Sequence, residues 1–365
     1  MPFLRLTRKI IFGVKTINGT SSSSFLNIST RNLMSKSLYY CEFGEPIKVV
    51  KFRELEVPPL KSQEVLVRML AAPVNPADIN TIQGRNHCPP HLPCVPGDEG
   101  VGEVVEIGNK VCTVEPGERV VLTSRGLGTW QYYGIYHERD IHVISPNIPL
   151  PEASMLTIAP CMAYRMLKDF RKIKPGETVI QNAANSACGQ SVIQLCKAWD
   201  INTFNIVANH CNYESVKVHL LSIGATAVHT LEEAEELTTF NTSLSRPVLA
   251  LNCLGGRFED VMLRLLEKSG TIVYYGSAFH IPIAKHIVRC DVLFNRFHLS
   301  EWDAYAGVIE KDVMMNNIIK LMVIGKFRAP SYQPLELKNY IHAFRNTVNC
   351  EAFSTNSYVF DFTLT

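Results

Sequence analysis

The pattern of apolar and polar positions divides the chain into two regions. Between residues 47 and 122, apolar residues recur in short alternating runs that proline and glycine separate. These runs predict strands at Ile47–Lys51, Glu64–Ala72, Gly100–Ile107 and Glu118–Leu122. From about residue 152, helical spacing alternates with short apolar runs. The first region therefore predicts a compact barrel-like β domain, and the second a doubly wound parallel sheet.

Helices and strands alternate through the second region. The helical spacing predicts helices at Ala153–Phe170, Glu214–Ile223 and Phe258–Leu266. The apolar runs predict strands at Thr178–Gln181, Thr203–Val207, Ala227–His229, Val248–Asn252 and Gly270–Tyr275. The tail contains a helix from about Asp312 to Val323, a turn at 325–330 and a helix near Leu335–Arg345. We expect this tail to pack back on the first domain.

The segment Gly176–Asp200 carries the strongest functional signal. It begins with a buried strand, continues through the small residues of 182–189, and ends in a helix. Small residues at a helix N-terminus let a diphosphate approach the backbone N–H groups, so the segment predicts a nucleotide pyrophosphate site. An ordinary strand-to-helix turn of a parallel α/β protein is the alternative from this segment alone.

The first 41 residues differ in composition from the rest of the chain. They contain six basic residues and seven serines after position 20, and no acidic residue precedes Glu42. This composition predicts a mitochondrial transit peptide at 1–41, since the apolar run Ile10–Val14 is too short for a secretory signal. A basic arm that stays attached is the alternative. Without these residues, 30 Lys and Arg stand against 34 Asp and Glu, so the mature body is acidic.

Composition argues against several other classes of protein. Lys and Arg are scattered, so we expect no nucleic-acid-binding face. No run of 18 apolar residues occurs, so we expect no membrane span. The 11 cysteines include no C-x-x-C pair, which favours buried free thiols in a reducing compartment.

Five blocks of sequence together resemble the medium-chain dehydrogenase/reductase superfamily. They are AAPVNPADIN (71–80), VPGDEGVGEVVEIG (95–108), VEPGERVV (114–121), KPGETVIQNAANSACGQ (174–190) and the barrel-like start. Within that superfamily the chain resembles the mitochondrial trans-2-enoyl-CoA or enoyl-[acyl-carrier-protein] reductases over roughly residues 42–360. The segments behind this closer resemblance are GLGTWQ (126–131), PCMAYRMLKDF (160–170), IQNAANS (180–186), LALNCLGG (249–256) and LSEW (299–302).

The resemblance implies an α/β fold with two domains. A GroES-like catalytic domain of the β-barrel type would comprise 42–160 and 306–365, and a doubly wound Rossmann domain that binds NADPH would comprise 161–305. Zinc-dependent relatives carry Gly-His-Glu where this chain has Gly97-Asp98-Glu99, and they carry a four-cysteine lobe that is absent here. We therefore expect no zinc site. A chance site at Cys88, His91 and Cys94 is the rival interpretation, although its spacing fits no usual zinc motif.

The resemblance also implies where the proton donor would lie. In the resembled reductases, a tyrosine in Gly-Asn-Tyr-Gly follows Ile-Gln-Gly. Here Asn86 stands at the tyrosine position, and an amide is no acid at neutral pH. His87 is the nearest titratable group and is a candidate general acid. A solvent-facing loop histidine is the alternative.

The cofactor residues are assigned by their positions at strand ends. The pyrophosphate turn comprises Ser186, Ala187, Cys188, Gly189 and Gln190, with Ala187 where the family usually has glycine. The ribose side comprises Ala208, Asn209 and His210, and the absence of an acidic residue there favours NADPH. The nicotinamide side comprises Tyr275, Gly276, Ser277, Ala278, Phe297, His298 and Leu299, for which strand-end packing is the alternative.

Three functions are compatible with these residues. The first is NADPH-dependent reduction of enoyl thioesters, carried on CoA or acyl carrier protein, in the mitochondrial matrix for fatty acid synthesis. The second is reduction of a quinone or another activated alkene on the same fold. The third is a catalytically impaired binding or scaffold protein, since the residues at Asn86, Ala187 and 208–210 all depart from the family. The resemblance further implies a homodimer joined through the nucleotide-binding domains.

Overall fold

In a computed structural model, the chain is described over residues 33–85, 89–209, 211–237, 244–276, 291–349 and 356–364. Six parallel strands of this part form one sheet in the order β10-β9-β8-β11-β12-β13. These strands are β8 (Thr178–Gln181), β9 (Asn202–Val207), β10 (Ala227–Thr230), β11 (Pro247–Asn252), β12 (Thr271–Tyr274) and β13 (Leu293–Arg296). The doubly wound sheet is therefore confirmed.

A second, mostly antiparallel sheet follows the order β14-β15-β3-β4-β5-β7, with β6 also paired to β3. Its strands are β3 (Glu64–Val74), β4 (Val101–Ile107), β5 (Arg119–Leu122), β6 (Tyr133–His137), β7 (Ile141–Val143), β14 (Ser331–Leu335) and β15 (Asn356–Asp361). Glycines at close strand approaches shape this sheet. A Cβ on Gly102 would lie 2.7 Å from the Arg68 carbonyl oxygen. The predicted β-rich first region is confirmed.

Helices connect the parallel strands and flank both sheets. In the described residues they are α1 (Pro46–Val49), α2 (Pro76–Ile82), α3 (Leu150–Ser154), α4 (Ala159–Asp169), α5 (Ala187–Ala198), α6 (Tyr213–Ile223), α7 (Leu231–Glu236), α8 (Arg257–Leu265), α9 (Leu299–Tyr305), α10 (Val308–Val323) and α11 (Tyr340–Asn349). None of them is long and apolar enough to cross a membrane.

Two predicted elements are wrong. Ile47–Lys51 was expected as a strand, but Pro46 occupies the first turn of α1 and its fixed φ suits a helix start. Ala153–Phe170 was expected as one helix, but it divides into α3 and α4. Pro160, in the first turn of α4, has no N–H to continue the helix, and the backbone N–H groups of Thr157 and Ile158 donate to the Glu99 carboxylate instead of continuing α3.

The folded part of the chain begins before residue 42. Strand β1 (Met34–Tyr39) pairs antiparallel with β2 (Lys51–Glu56), and Leu38 and Tyr40 are buried. The predicted transit peptide at 1–41 includes Met34–Tyr39, yet these six residues form β1. Any processing that preserves this hairpin must occur before Met34, because a cut at 41 removes the whole of β1.

The tail packs on the first domain, as expected. Strand β15 pairs antiparallel with β3, and Phe344 and Phe360 lie against the ring of Trp130 at 5.3 and 5.4 Å between centroids. The Trp130 indole is fully buried and donates to the Pro73 carbonyl oxygen at 3.0 Å. Trp130 therefore fills the core of this domain.

Candidate active site

The turn between β8 and α5 is built around Gly189. A Cβ at this position would lie 2.6 Å from the Ala183 carbonyl oxygen and 2.6 Å from both Cα and O of Ala184. All three atoms belong to the backbone of the turn, so they have little freedom to move. Gly189 therefore brings the first turn of α5 against the end of β8, which is the close helix–strand packing of dinucleotide-binding turns.

Ser186 caps the helix at this turn. Its hydroxyl accepts a hydrogen bond from the Gly189 N–H at 3.1 Å, and the first turn of α5 holds no acidic residue. Ala187 and Cys188 are the first two residues of α5, and their backbone N–H groups have no acceptor within the helix. Ser186 and Ala187 are half-buried, whereas Cys188, Gly189 and Gln190 are buried. The predicted pyrophosphate residues therefore form one helix N-terminus with an exposed outer edge.

A buried amide layer holds the strand ends beside this turn. Asn182 donates to the Asn252 side-chain oxygen at 2.8 Å, and its own oxygen accepts from the Cys253 N–H at 2.7 Å. Asn252 also accepts from the Gly255 N–H at 2.9 Å. Both asparagines are fully buried. This layer links the ends of β8 and β11, and it fixes the loop after each strand.

On the nicotinamide side, Tyr275 lies at the carboxyl end of β12. Its hydroxyl interacts with the thiols of Cys188 and Cys253, and burial raises the pKa of the phenol well above its usual range. Gly276 follows with a φ of +55°, and a Cβ there would lie 2.8 Å from the Cys253 sulfur. Tyr275, Gly276 and Cys188 are therefore brought together.

Cys253 is a residue of this site that sequence reasoning missed. It directly follows β11, between the turn at Cys188 and the strand end at Tyr275. Its position after an apolar run, in the block LALNCLGG, was the available signal, since ligands of parallel sheets bind at such strand ends. The same signal was available for Asn182 and Asn252, which lie at the ends of β8 and β11 and were also not predicted as site residues.

The remaining cofactor residues divide into two groups. Ala208 and the exposed Asn209 directly follow β9, so they lie at the same sheet edge as the turn, one strand away. Phe297 and Leu299 are buried. Phe297 packs on Phe170 and donates its N–H to the Tyr274 carbonyl oxygen. The contacts of Phe297 and Leu299 are packing contacts. His298 is partly exposed, and its Nδ1 is hydrogen-bonded to Ser300 Oγ at 2.6 Å.

Several predicted site residues lie outside the described residues. They are the catalytic candidates Asn86 and His87, the ribose-side His210, and Ser277 and Ala278 on the nicotinamide side. Their assignments stay predictions. Cys88 of the rival zinc set also lies outside, and within the described residues no group of three or more His, Cys, Asp or Glu is placed to hold a metal.

A buried acidic network borders the cleft where zinc-dependent relatives carry their Gly-His-Glu. Asp78 accepts from the N–H groups of Asn75 at 2.8 Å and Asp98 at 3.1 Å, so it fixes the turn at the start of α2. Burial raises the pKa of the Asp78 carboxyl well above its usual range, and the Asp98 carboxylate adds to the shift. Asp98 in turn accepts from the Gly126 N–H.

Glu99 is the centre of this network. One carboxylate oxygen accepts from the Asn75 amide at 2.9 Å, and the other accepts from Thr157 N, Thr157 Oγ1 and Ile158 N at 3.0–3.3 Å. The side chain is only 2% exposed, and burial raises its pKa although these donors and Arg125 oppose the shift. Glu99 therefore joins the α2 turn to the start of α4.

Glu99→Gln is expected to destabilise the protein by about 2 kcal/mol, although the volume is conserved. Every hydrogen-bonding group around the carboxylate is a donor, so the new NH₂ group must face one of them and leave it unpaired. Urea unfolding measures the loss. The control is Glu103→Gln, which removes a surface ion pair with Arg68 and should cost less than about 1 kcal/mol. Equal costs would contradict the structural role of Glu99.

The described residues fit a dinucleotide. A helix N-terminus without nearby acid provides N–H donors for a pyrophosphate. The Tyr275 hydroxyl, buried beside the Cys188 and Cys253 thiols at the neighbouring strand end, offers a further polar group on the nicotinamide side. Gly189 and Gly276 keep the backbone free of Cβ atoms beside both groups.

Comparison with known proteins agrees with this architecture. Residues 61–146 match the alcohol dehydrogenase GroES-like domain. The chain is 38% identical over 331 residues to the mitochondrial enoyl-[acyl-carrier-protein] reductase of Mus musculus, covering 89% of this chain and 88% of the mouse protein. A relative of the same name from Homo sapiens is 36% identical over 88% of each chain.

A solved structure supports the fold independently. The mitochondrial 2-enoyl thioester reductase Etr1p/Etr2p heterodimer of Candida tropicalis has a TM-score of 0.78, at 24% identity, over 90% of this chain and all of that one. Likeness at this identity concerns the fold. Sequence identity above 30% along nearly the whole length concerns the family. This chain belongs to the family of mitochondrial enoyl-[acyl-carrier-protein] reductases.

Proposed function

We propose that this protein reduces trans-2-enoyl thioesters, on CoA or acyl carrier protein, to saturated acyl thioesters with NADPH, in mitochondrial fatty acid synthesis. The observation that carries the proposal is the 38% identity to an enoyl-[acyl-carrier-protein] reductase along 89% of the chain, and the close packing at Gly189 in the turn before α5 supports it. Bound NADPH would supply the hydride for the β-carbon of the substrate.

The chain's own groups would bind and orient the cofactor. The first turn of α5, capped by Ser186, would hold the pyrophosphate through backbone N–H groups. Tyr275 and Gly276 would line the nicotinamide, with Cys188 and Cys253 behind the tyrosine ring. On the ribose side, Ala208 and Asn209 present no carboxylate to repel a 2′-phosphate, which favours NADPH over NADH.

Protonation of the substrate α-carbon is the step in which this chain departs from its family. Asn86 occupies the position of the family's tyrosine, and its amide holds no acidic proton. His87, one residue on, or water would supply the proton in its place. We therefore expect turnover that is slow for the family, with binding of cofactor and substrate preserved.

Domain division, location and assembly complete the proposal. The parallel sheet draws its strands from 178–296, which supports the Rossmann domain at 161–305 and the catalytic domain at 42–160 and 306–365. We place the mature protein in the mitochondrial matrix, as the names of its relatives imply. Strand β13 forms one edge of the parallel sheet with Leu293 exposed, so this edge would join two copies into a homodimer.

NADPH fluorescence and NADPH oxidation together test the proposal. Titration of purified protein should shift or quench the nicotinamide emission below about a millimolar, because the helix N-terminus and the glycine turn are preserved. Addition of trans-2-hexenoyl-CoA should then oxidise NADPH faster than addition of a quinone does.

Each result assigns one of the three functions. Absence of NADPH binding would remove both enzymatic functions and leave a binding or scaffold protein. A quinone rate above the enoyl-CoA rate would indicate the alternative oxidoreductase. NADPH binding with neither reaction would indicate that the change at Asn86 has ended catalysis.

A further inference from the structure

A buried glutamine, Gln190, connects the turn before α5 with helix α6. Its side-chain Nε2 donates to the Asn185 carbonyl oxygen at 2.8 Å, and its Oε1 lies 2.9 Å from His219 Nε2. Gln190 is 2% exposed, whereas His219, on α6, is half-buried. The two contacts involve both ends of the amide, so Gln190 links the backbone of the turn to the His219 ring.

The Asn185 carbonyl determines the orientation of the Gln190 amide. A backbone carbonyl oxygen can only accept, so the NH₂ group of Gln190 faces it and the amide oxygen faces His219. The amide oxygen can also only accept, so His219 Nε2 carries a proton and donates it to Gln190 Oε1. An imidazole can provide this proton both in its neutral form and in its charged form.

The Asn185 carbonyl lies beside the proposed pyrophosphate site. Asn185 is 3% exposed and directly precedes Ser186, the N-cap of α5. A carbonyl oxygen turned towards a phosphate would repel it, whereas the N–H groups of the first turn attract it. The hydrogen bond from Gln190 holds this carbonyl inside the protein, so the N–H groups of Ala187 and Cys188 are left to face an anion.

Helix packing fixes the distance between His219 and Gln190. Val216 of α6 and Ile193 of α5 are buried in one apolar cluster. Val216 precedes His219 by three residues, and Ile193 follows Gln190 by three, so each apolar residue shares a helix face with its polar neighbour. The contact between the two helices therefore keeps the histidine within hydrogen-bonding distance of the glutamine.

We propose that His219 is a positioning residue for NADPH, which holds the Asn185 carbonyl away from the pyrophosphate by donating to Gln190. The inference rests on the proposed function and adds to its cofactor site a residue of a second helix. Without a donor at position 219, the buried Gln190 oxygen loses the partner that the structure gives it. The side chain then gains by turning towards water, and this movement releases the Asn185 carbonyl.

His219→Met and His219→Gln form a matched pair of variants. Both new side chains are unbranched, similar in length and suited to a helix, but only glutamine ends in an N–H donor. NADPH fluorescence titration of the purified full chain should give a dissociation constant about tenfold above the wild-type value for His219→Met, the size expected for a buried acceptor without its donor. His219→Gln should stay within about threefold of the wild type. Urea unfolding establishes that each variant is folded under the conditions of the titration.

His142→Met is the control in the other sheet. His142, on β7, is also half-buried, and its Nδ1 lies 3.0 Å from the Asp312 carboxylate of α10. It has no contact with the turn before α5 among the described residues, so NADPH affinity should stay within about twofold of the wild type. A loss as large as that of His219→Met would show general loosening of the protein and would overturn the specific role of His219.

The other results are equally distinct. Wild-type affinity in His219→Met overturns the inference and leaves the proposed function in place. Equal weakening in His219→Met and His219→Gln shows that the ring and not its N–H matters, which also overturns it. If His219→Met does not fold, His219→Asn takes its place, because its amide ends one bond short of the position of Nε2 and should bind NADPH about as weakly. Absence of NADPH binding by the wild type contradicts the proposed function and with it the inference.

Discussion

Gly189→Ala is expected to abolish NADPH binding and to destabilise the protein by about 2–3 kcal/mol. The new methyl group would lie 2.6 Å from the Ala183 carbonyl oxygen and from Cα and O of Ala184. These are backbone atoms of the turn, so α5 must move away from β8 to relieve the contact. That movement displaces the N–H groups that would hold the pyrophosphate. Urea unfolding and the NADPH fluorescence titration measure the two effects.

Gly307→Ala is the matched control for Gly189→Ala. Gly307 has an ordinary φ of −68° before α10, and a Cβ there meets no atom within 4 Å. The control should cost less than about 1 kcal/mol, the usual range for a changed helix cap, and should leave NADPH affinity unaltered. If Gly189→Ala binds NADPH as the wild type does, the turn is not the pyrophosphate site.

Asn86→Tyr is expected to raise the rate of enoyl-CoA reduction about a hundredfold. The change restores a phenol at the position where the resembled family has its proton donor, and a positioned general acid contributes about 10²–10⁴ in rate. The gain should appear in kcat, because protonation of the α-carbon belongs to the transition state and not to substrate binding. Stopped-flow NADPH oxidation with trans-2-hexenoyl-CoA measures it.

Asn86→Phe distinguishes the effect of proton donation from the effect of packing an aromatic ring at this position. The phenylalanine variant has the same ring without the hydroxyl, so it should keep the wild-type rate. Equal gains in the two variants would show that ring packing, and not proton donation, limits the reaction. No gain in either would show that the pocket has been remodelled around Asn86.

The proposed role of His87 as proton donor predicts a pH dependence that Asn86→Tyr should remove. If His87 is the wild-type acid, activity falls as the pH rises through the histidine range near 6.5. A tyrosine donor keeps its proton to about pH 10, so the variant should stay active well above neutral pH.

Sequence patterns predicted the nucleotide-binding half of the fold closely. Strand β8 agrees with Thr178–Gln181, and the predicted elements from Thr203 to Tyr275 agree within about two residues, whereas α7 and β13 were not predicted. These segments are short, strongly periodic and bounded by glycine or proline, so local spacing is sufficient to define them. The family resemblance likewise depended on local blocks of sequence.

Two departures from the predicted elements involve contacts between distant residues. Within the predicted helix at 153–170, Pro160 interrupts the helical pattern, and Glu99, 58 residues earlier in the chain, accepts the N–H groups of the residues just before it. Strand β1 lies within the segment assigned to the presequence at 1–41, and it pairs with β2 although its composition resembles the basic segment before it. Neither contact can be deduced from local composition.

By itself, the sequence determined the class of fold, the family and the location of the strand-to-helix turn proposed to bind the pyrophosphate, because periodicity, turn residues and motif blocks are local properties of the chain. Only the tertiary structure decided which side chains meet. It placed Cys253 beside Cys188 and Tyr275, joined Asn182 to Asn252 across 70 residues, and set Arg125 beside Asp303. Such contacts join residues far apart in sequence, so they depend on how the two sheets pack and not on any local pattern.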